Sequence, residues 1–360
     1  MRGPADDPGP ALMEAAALAL RAKTLAREAG FDLVGVARAD APPELASFAG
    51  WVARGYAGEM AYLTSQVAKR SDLRTAFPWA RSLIAVGVQY DTPHAYSVEA
   101  PGDHGWIARY AWGDDYHDVL KAMLDRFVDR LREEAGPFTA RTYVDTGPIV
   151  ERAWAAAAGL GAWGKNTCLL HPEHGSWFFL GEVVTDLDLP ADAPRPDMCG
   201  SCTACLEACP TQAFPAPYVL DATRCISYLT IEVKGAIPED RREGLGRHVF
   251  GCDICQDVCP WNRKRLRHGG AAFEPRPGLD APALEELAGL DEAAFRERFR
   301  RSPVKRAKRR GLLRSVAVAL GNSGDRARRP ILESLSRDED AVVREHAFWA
   351  LRQLDRAGPC

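Results

Sequence analysis

The spacing of apolar and polar positions predicts a mixed α/β organisation for the first half of the chain. Apolar side chains recur at helical spacing in three stretches, at 11–29, 118–135 and 149–158. Short apolar runs rich in Val, Ile and Phe indicate strands at 31–37, 82–90, 142–145 and 177–185. Pro148 is expected just inside the start of the third helix. We therefore predict an α/β (α+β) domain at 11–195.

The pattern becomes helical throughout near the end of the chain. The stretches 312–320 and 342–351 read as two similar apolar helices about 30 residues apart, the period of a short HEAT-like repeat. Such helix pairs stack and present a surface to extended partners. We therefore expect an all-α HEAT-like domain at 263–360. Residues 1–10, which are rich in proline and acidic, are expected to be a disordered N-terminus.

Overall composition alone indicates only an ordinary soluble protein, and the distribution of charges along the chain is more informative. Hydrophobic residues make up 46% and charged residues 26%, and the formal net charge is -3, as in ordinary soluble proteins. The first apolar run is short and contains Glu14, so it fits neither a secretory signal nor a membrane span. We expect a cytoplasmic protein that does not bind a membrane and acts as a monomer.

Positive charge is concentrated in one segment near the end of the chain. Between Arg296 and Arg314, ten Lys and Arg residues are offset only by Glu297, a density suited to phosphate contacts. The alternative is a solvated helix face. The predicted nucleic-acid-binding residues are Lys305, Arg306, Lys308, Arg309 and Arg310.

Eight of the ten cysteines fall into two near-copies of one spacing. The first copy is C-x2-C-x2-C-x3-C-P from Cys199 to Pro210, a run typical of bacterial ferredoxins with [4Fe-4S] clusters. The second copy is C-x2-C-x3-C-P from Cys252 to Pro260, and Cys225 upstream replaces its missing member. We therefore predict a ferredoxin-like module at 196–262 that binds two [4Fe-4S] clusters.

The spacing also predicts which cysteines share a cluster. Short gaps let one loop direct three thiolates inward, and the cysteine before proline lies on a segment that leads to the other cluster. The expected first set is Cys199, Cys202, Cys205 and Cys259, and the second set is Cys209, Cys225, Cys252 and Cys255. A pair of zinc sites is the alternative, since C-x2-C pairs also bind Zn²⁺.

Four other features carry weaker signals. Asp145 follows a strand and precedes a helix, where α/β folds place ligands, but a carboxylate there is more often a helix cap. His117 is expected to be a packed or surface residue, and Cys168 an ordinary buried thiol. Residues 159–164 match G-x-G-x-x-G, but a helix precedes them in place of a strand, so we interpret the glycines as a turn.

Several ordered motifs together resemble the epoxyqueuosine reductase family, the cobalamin-dependent iron–sulfur enzymes of queuosine tRNA modification. The resemblance covers nearly the whole chain from about residue 11. It rests on the motifs ARYAWGDDYH at 108–117, VDTGPIVER at 144–152, GAWGKN at 161–166, GE at 181–182, and the cysteine block that ends in CPWN at 262.

The resemblance implies a fold and two kinds of cofactor. The first domain would be a corrinoid-binding domain similar to those of reductive dehalogenases and flavin nitroreductases, followed by the double-cluster module and the helical repeats. The clusters would pass electrons from an external low-potential donor to cobalamin. The substrate would be a tRNA anticodon stem-loop carrying epoxyqueuosine, reduced to queuosine.

The resemblance also implies roles for single residues. Asp145 would be the proton donor beside the substrate and cobalamin, which requires burial to raise its pKa. Residues expected to line the corrin are Tyr110, Asn166, Leu169 and Leu180. Two departures leave the axial ligand of cobalt open, because Ala108 stands where some members have cysteine and no D-x-H-x-x-G signature is present.

Three other interpretations remain open at the level of sequence. A corrinoid iron–sulfur reductase of reductive dehalogenase type could act on a small molecule, although the basic segment argues against it. A flavin nitroreductase could carry a ferredoxin appendix. A simple electron carrier would have no use for the long α/β domain.

Overall fold

A four-stranded antiparallel sheet organises the first part of the molecule. The computed structural model describes residues 10–99, 103–263 and 269–356. The strands are β1 (Leu33–Arg38), β2 (Ser82–Gln89), β3 (Trp106–Ile107), β4 (Ala140–Tyr143), β5 (Ala162–Trp163), β6 (Leu169–Leu170), β7 (Phe178–Thr185) and β8 (His248–Phe250). The order β1-β2-β7-β4 forms the main sheet, and β3 with β8 and β5 with β6 form separate pairs.

Helices account for most of the remaining described residues. They are α1 (Pro10–Glu28), α2 (Phe48–Ala53), α3 (Ala61–Thr64), α4 (Val67–Ser71), α5 (Leu73–Ala76), α6 (Tyr116–Ala135), α7 (Glu151–Ala157), α8 (Ala204–Glu207), α9 (Ile226–Ile231), α10 (Glu239–Arg242), α11 (Ile254–Asp257), α12 (Pro260–Arg263), α13 (Leu284–Ala288), α14 (Glu292–Arg298), α15 (Lys308–Asn322), α16 (Arg329–Leu335) and α17 (Ala341–Arg356). Short 3-10 helices lie at Pro43–Ser47, Arg109–Ala111, Ala222–Arg224, Glu243–Leu245, Ala271–Phe273, Pro303–Ala307 and Arg326–Arg328.

The alternation of side chains along each strand divides the sheet between two cores. On β2, Ile84 and Val86 pack with α1 and α6 on one face. Leu83 and Ala85 pack with α7 on the other face. Successive strand residues point to opposite faces, so both faces of this sheet are covered by helices.

The long helix α6 has clear local causes. The side chain of Asp115 accepts a hydrogen bond from the N–H of His117 and caps the first turn. Leu120, Leu124 and Leu131 are buried on one stripe against the sheet. Gly136, with φ 76°, follows the helix and ends it.

A third core joins distant parts of the chain. The segment from Trp106 to Trp112, helix α9 and strand β8 pack in one apolar cluster with the C-terminal helices. Helices α15 and α17 pack along each other within this cluster. The C-terminal region is therefore helical, as predicted, while its HEAT-like character and the domain boundaries remain predictions.

Most predicted elements are present, and one boundary is wrong. Strand β4 ends at Tyr143 and α7 begins at Glu151, so Pro148 lies in a loop and not inside the helix. Residues 159–164 form a turn and the start of the β5–β6 hairpin, as expected for the glycines. The predicted disordered residues 1–9 and the basic residues 264–268 lie outside the described part of the chain. Among the helices described, none combines the length and apolar character needed to cross a membrane.

Candidate active site

The loop at 144–150 holds Asp145 in an unusual backbone conformation. Its φ of 57° is in the left-handed region, which a residue other than glycine adopts at a cost of about 1 kcal/mol or more. Gly147 is required nearby, because a Cβ there would lie 2.6 Å from the ring of Tyr143. The buried Arg70 donates a hydrogen bond of 2.7 Å to the carbonyl of Ile149. The loop is therefore fixed at several points.

The carboxylate of Asp145 is bound by side chains of α6 and does not cap a helix. The hydroxyl of Tyr116 donates to Asp145 Oδ2 at 2.8 Å, and His117 Nε2 lies 3.8 Å from the same oxygen. The N-cap of α7 is Val150, without a side-chain hydrogen bond. The helix-cap interpretation is therefore wrong, and His117, expected to be a packed or surface residue, is a partly exposed residue that also pairs with Asp145.

A row of charges connects Asp145 to the C-terminal region. His117 Nδ1 lies 2.7 Å from Asp115 Oδ1. The other oxygen of Asp115, which is almost fully buried, accepts a 2.7 Å hydrogen bond from Lys305 Nζ. Lys305 thus belongs both to the basic segment and to the shell around Asp145.

The proton of this group rests on His117. Desolvation lowers the pKa of His117, but the hydrogen bond to Asp115 and the ion pair with Asp145 outweigh it and raise the pKa to about 9. Desolvation raises the pKa of Asp145, whose side chain is still 54% exposed, but the charge of His117 and the hydrogen bond from Tyr116 bring it below its ordinary value. Within the protein chain alone, the expected raised pKa of Asp145 is therefore not found.

Aromatic rings and an arginine surround this carboxylate. Tyr110 contacts the ring of Tyr116 at 6.1 Å and that of Phe250 at 6.0 Å between centroids. Arg306 lies over the ring of Tyr62 at 5.7 Å, and its charge also helps to lower the pKa of Asp145. The surroundings combine flat apolar surfaces with a few polar groups, as small-molecule sites do.

The pKa values of the predicted cluster cysteines respond to one another. Burial raises the pKa of the Cys205 thiol to about 11, and the neighbouring thiols of the same predicted set, Cys259, Cys199 and Cys202, add to the rise. Burial also raises the pKa of Cys252, and the neighbours that contribute are Cys225 and Cys209. The pKa of Cys255 is raised chiefly by Cys168 and by burial, with smaller contributions from Cys252 and Cys225. The neighbours that act on each of these thiols thus include members of its predicted set, while the assignment of each set to one cluster remains a prediction.

The segment 161–170 lies between the cysteines and the Asp145 loop. Lys165 Nζ donates to the carbonyls of Gly200 and Cys202 at 2.6 and 3.0 Å. Asn166 Nδ2 donates to the carbonyl of Cys255 at 3.2 Å. On the other side, Arg152 at the start of α7 donates to the carbonyl of Thr167 at 2.5 Å.

Two of the residues expected to line a corrin, Asn166 and Leu169, belong to this segment. Leu169 is buried in the core on the α7 side of the sheet, and Leu180 packs against the same core. Asn166 is 4% exposed, and Tyr110 packs against the rings of Tyr116 and Phe250. Apolar and aromatic side chains of this kind fit a flat macrocycle. The contacts within the described chain do not assign these residues to a cofactor, so their role remains a prediction.

Two further positions bear on the cofactors. Cys168 is half-buried, and its thiol hydrogen-bonds to Cys255, which lowers the pKa of Cys168. It is therefore in contact with a predicted cluster ligand and is not an ordinary core thiol. Ala108 is buried against Gly251, where an added Cβ on the glycine would lie 2.5 Å from the Ala108 Cβ.

A basic groove of about 970 Å³ opens on the C-terminal region. All five predicted nucleic-acid-binding residues line it, together with Arg296, Arg300 and Arg301. Their side chains differ in availability. Arg309 is largely buried and pairs with Asp338 at 2.6 Å, whereas Lys308 and Arg300 are exposed.

Sequence reasoning missed most of the polar groups around Asp145. Tyr116, His117, Glu151 and Glu182 belong to the quoted motifs, but none had received a role. Arg70 and Tyr62 carry no recognisable motif. The motifs themselves were the available signal, because Tyr116, His117 and Glu151 within them contact Asp145.

Comparisons with known proteins agree with this arrangement. The family model described as 4Fe-4S double cluster binding domain matches residues 198–262. This match supports two [4Fe-4S] clusters over the zinc alternative. The model described as Epoxyqueuosine reductase QueG, DUF1730 matches residues 70–146, a range that includes Arg70, His117 and Asp145.

Relatives are similar over nearly the whole chain. An epoxyqueuosine reductase of Xanthomonas campestris pv. campestris is 44% identical over 339 residues, 93% of this chain and 96% of that protein. A crystal structure of an epoxyqueuosine reductase with an epoxyqueuosine-modified tRNA-Tyr stem loop has a TM-score of 0.84 and 32% identity, and the match covers 94% of this chain and 90% of that one. The Bacillus subtilis epoxyqueuosine reductase, with its aspartate catalytic loop swung out of the active site, has a TM-score of 0.83, 32% identity and the same coverage.

Proposed function

The chain belongs to the epoxyqueuosine reductase family, and we propose that it reduces epoxyqueuosine to queuosine at the anticodon wobble position of tRNA. The observation that carries the proposal for this chain is the Asp145 carboxylate, held by Tyr116 and His117 between the predicted cluster module and the basic groove. A dehalogenase-like reaction on a small molecule has no use for that groove. The expected setting is the cytoplasm, with an external low-potential electron donor.

The reaction removes the epoxide oxygen from a cyclopentane ring and leaves an alkene, so it consumes two electrons and two protons. When bound, the two [4Fe-4S] clusters and cobalamin would supply the electrons at low potential. The eight cysteines in their two sets would hold the clusters. Tyr110, Asn166, Leu169 and Leu180 would hold the macrocycle.

The protein's own chemical task is to deliver a proton to the departing oxygen. Negative charge develops on that oxygen as the C–O bond breaks, and a positioned acid stabilises it. Asp145 is the group we assign to this contact. Because the proton rests on His117, 3.8 Å away, we infer that Asp145 and His117 act as one acid whose proton passes from the imidazole through the carboxyl group.

The basic groove would bind the phosphates of the anticodon arm. Exposed Lys and Arg side chains suit phosphate oxygens, and such binding weakens as salt rises. Lys305 lies in this groove and also bonds to Asp115, so the RNA surface and the catalytic group share a residue. The tRNA would then present its modified base directly to Asp145.

The proposal is tested by anaerobic incubation of the purified protein with reductant, cobalamin and epoxyqueuosine-containing tRNA. Mass spectrometry of the digested tRNA should show the loss of one oxygen from the modified base. Asp145→Asn should retain iron and cobalamin but lose turnover by about 100-fold or more. Undiminished turnover in this variant would reject Asp145 as the acid.

A further inference from the structure

Glu182 is a buried carboxyl group that the proposed reaction does not use. It lies on β7, beside Tyr143 of β4, and is 0% exposed. Neither of its carboxylate oxygens receives a hydrogen bond from an N–H or O–H group in the described part of the chain. A buried acceptor without a donor costs about 1–3 kcal/mol, and more when charged. The arrangement therefore requires a further proton nearby.

The carboxyl group of Glu151 is the neighbour whose charge acts most strongly on Glu182. Burial, with the charge of Asp145, raises the pKa of Glu151 to about 7. Burial, with the charge of Glu151, raises the pKa of Glu182 well above its ordinary value. Glu182 is buried and Glu151 is half-buried, and two adjacent carboxyl groups in such a setting resist the loss of both protons. Near neutral pH the pair retains a proton, and an O–H between the two groups supplies the missing donor.

Glu151 connects this pair to the catalytic loop. Its Oε1 accepts a hydrogen bond from the backbone N–H of Asp145, the residue in the left-handed conformation. That bond holds the strained residue where its side chain meets Tyr116 and His117. In the Bacillus subtilis relative the aspartate loop is swung out of the active site, so a loop of this kind has a second position in that protein.

We propose, on the premise of the function above, that Glu151 and Glu182 are positioning residues that share one proton and together hold the Asp145 loop in place. When the shared proton dissociates, two carboxylates repel each other inside the protein. Glu151 then turns away and releases the N–H of Asp145. Other titratable or charged groups that face the pair are Asp145, Arg152, Arg70 and Tyr116.

The two arginines do not replace the shared proton. Arg70 is engaged with the carbonyl of Ile149, and Arg152 with the carbonyl of Thr167. Each can favour one negative charge on the pair but cannot donate a hydrogen bond between the two carboxyl groups from its present position. The contact between Glu151 and Glu182 therefore depends on the proton that they share.

The test is hydrogen–deuterium exchange at the backbone amide of Asp145 in the cluster-containing protein, corrected for the intrinsic pH dependence of exchange. The pH range should extend from below to well above the pKa of about 7 for Glu151. Protection in the unchanged protein should fall by about tenfold per pH unit once the shared proton dissociates. Protection that stays constant over the range would overturn the proposal.

Glu182→Gln supplies a donor that does not titrate, because its amide N–H can bond to the carboxylate of Glu151. Protection of the Asp145 amide should then be independent of pH. Glu151→Gln should behave alike, since its amide oxygen accepts the Asp145 N–H and its amide N–H faces Glu182. It serves as the second variant if Glu182→Gln does not fold.

Glu133→Gln, an exposed substitution on α6, should follow the unchanged protein. A fall in protection in the Gln variants that parallels the unchanged protein would refute the shared proton.

Turnover provides a second readout. Glu182→Gln should remove the part of the alkaline fall of kcat that comes from the carboxyl pair and leave the fall near pH 9 that belongs to His117, while the KM for tRNA stays constant. The exchange measurement does not depend on the reaction, so it tests the carboxyl pair even if the proposed function is wrong. Conversely, pH-independent exchange in the unchanged protein, with activity lost in Asp145→Asn, would refute the pair and leave the function standing.

Discussion

Asp145 and His117 divide two requirements of an acid between two side chains. The carboxyl group reaches into the site, while the imidazole, with a pKa of about 9, stores the proton at neutral pH. Asp115 keeps the imidazole oriented through Nδ1 at 2.7 Å. The pair can therefore hold a proton at neutral pH and still present a carboxyl group to the departing oxygen.

The fall of turnover near pH 9 follows from His117. The pKa of His117 is raised from the ordinary 6.5 to about 9, so the imidazole keeps its proton at neutral pH and loses it as the pH rises through about 9. The single-turnover rate should fall through the same range. His117→Gln cannot hold the proton and should lower the rate by about 100-fold, without the fall near pH 9. Rapid quenching and mass spectrometry of the tRNA measure both effects.

The chain offers a matched control for this substitution. His104 forms a similar pair with Asp103 at 2.7 Å but lies outside the site. His104→Gln should leave the rate and its pH profile unchanged. The same linkage makes His117 stabilise the fold below pH 6.5 and lose that contribution as pH rises through about 9. A His117→Gln profile identical to that of the unchanged protein would exclude the imidazole as the proton store.

Single residues differ in how far sequence predicts them. The cysteine sets are predicted from spacing, because three ligands of the first cluster lie within seven residues of each other and the cysteine before each proline is assigned to the other cluster. Asp145 emerged only through family resemblance. His117 was expected to be a packed or surface residue, since its partner Asp145 is 28 residues away in sequence and no local pattern indicates the contact. Glu182 and Glu151 meet only after β7 and α7 pack together.

At the level of elements, periodicity predicted the regular helices and strands but not the loop that matters most. Helix α7 starts two residues later than expected because Glu151 turns its side chain back to the N–H of Asp145. The close packing of Gly147 on Tyr143 also excludes a helix there. Such contacts leave no mark on hydrophobic spacing.

The basic groove contains two kinds of cation, which sequence could not separate. Arg309 donates to the carbonyl of Leu290 and pairs with Asp338, so it connects structural elements. Arg300 pairs with the exposed Glu297, and Lys308 is exposed. Density of charge along the chain predicted the groove, but burial decides which members can reach a phosphate.

Substitutions within the groove should therefore divide into two classes. Arg309→Ala should destabilise the fold by on the order of 3 kcal/mol, because Asp338 is left buried and unpaired. Lys308→Glu combined with Arg300→Glu should leave the Tm unchanged and weaken tRNA binding. Each lost phosphate contact should reduce the slope of log K against log salt by about 1. Thermal unfolding and binding titrations at several salt concentrations measure the two effects.

A charge reversal elsewhere provides the control for the groove variants. Lys121→Glu on α6 lies outside the groove and changes the net charge in the same direction. It should have a much smaller effect on the salt slope. Equal effects of this variant and of Lys308→Glu would indicate a general response to net charge in place of a binding surface.

For the whole molecule, the packing is less divided than the order of motifs suggests. The third core unites β3, helix α9 and strand β8 with the C-terminal helices. The predicted sequence segments 11–195, 196–262 and 263–360 therefore contribute to a shared interior. Linear composition shifts cannot reveal this, because contacts between segments far apart in sequence depend on the fold.

Arg314 of α15 is where the C-terminal region supports the cluster module. It is 0% exposed and donates hydrogen bonds to the carbonyls of Leu229, Val233 and Gly235 at 2.6 to 3.0 Å. Leu229 belongs to α9, whose N-cap is Cys225. The same helix bonds through Thr230 to the N–H of Gly251, which precedes Cys252. One buried guanidinium thus supports the helix that joins two predicted ligands of the second cluster.

Arg314→Lys should loosen this helix, because one ammonium group cannot reproduce the planar fork that reaches three carbonyls. We expect faster loss of roughly four of the eight irons to a chelator, with the remaining iron lost at the original rate. Arg242→Lys is the matched control, since Arg242 is equally buried in this core but bonds to Ile237 and Glu345. Arg242→Lys should lower the Tm, but all of its iron should be released at one rate and not in a fast and a slow phase. If both variants release iron in one phase at the same rate, the link from α15 to the second cluster is absent.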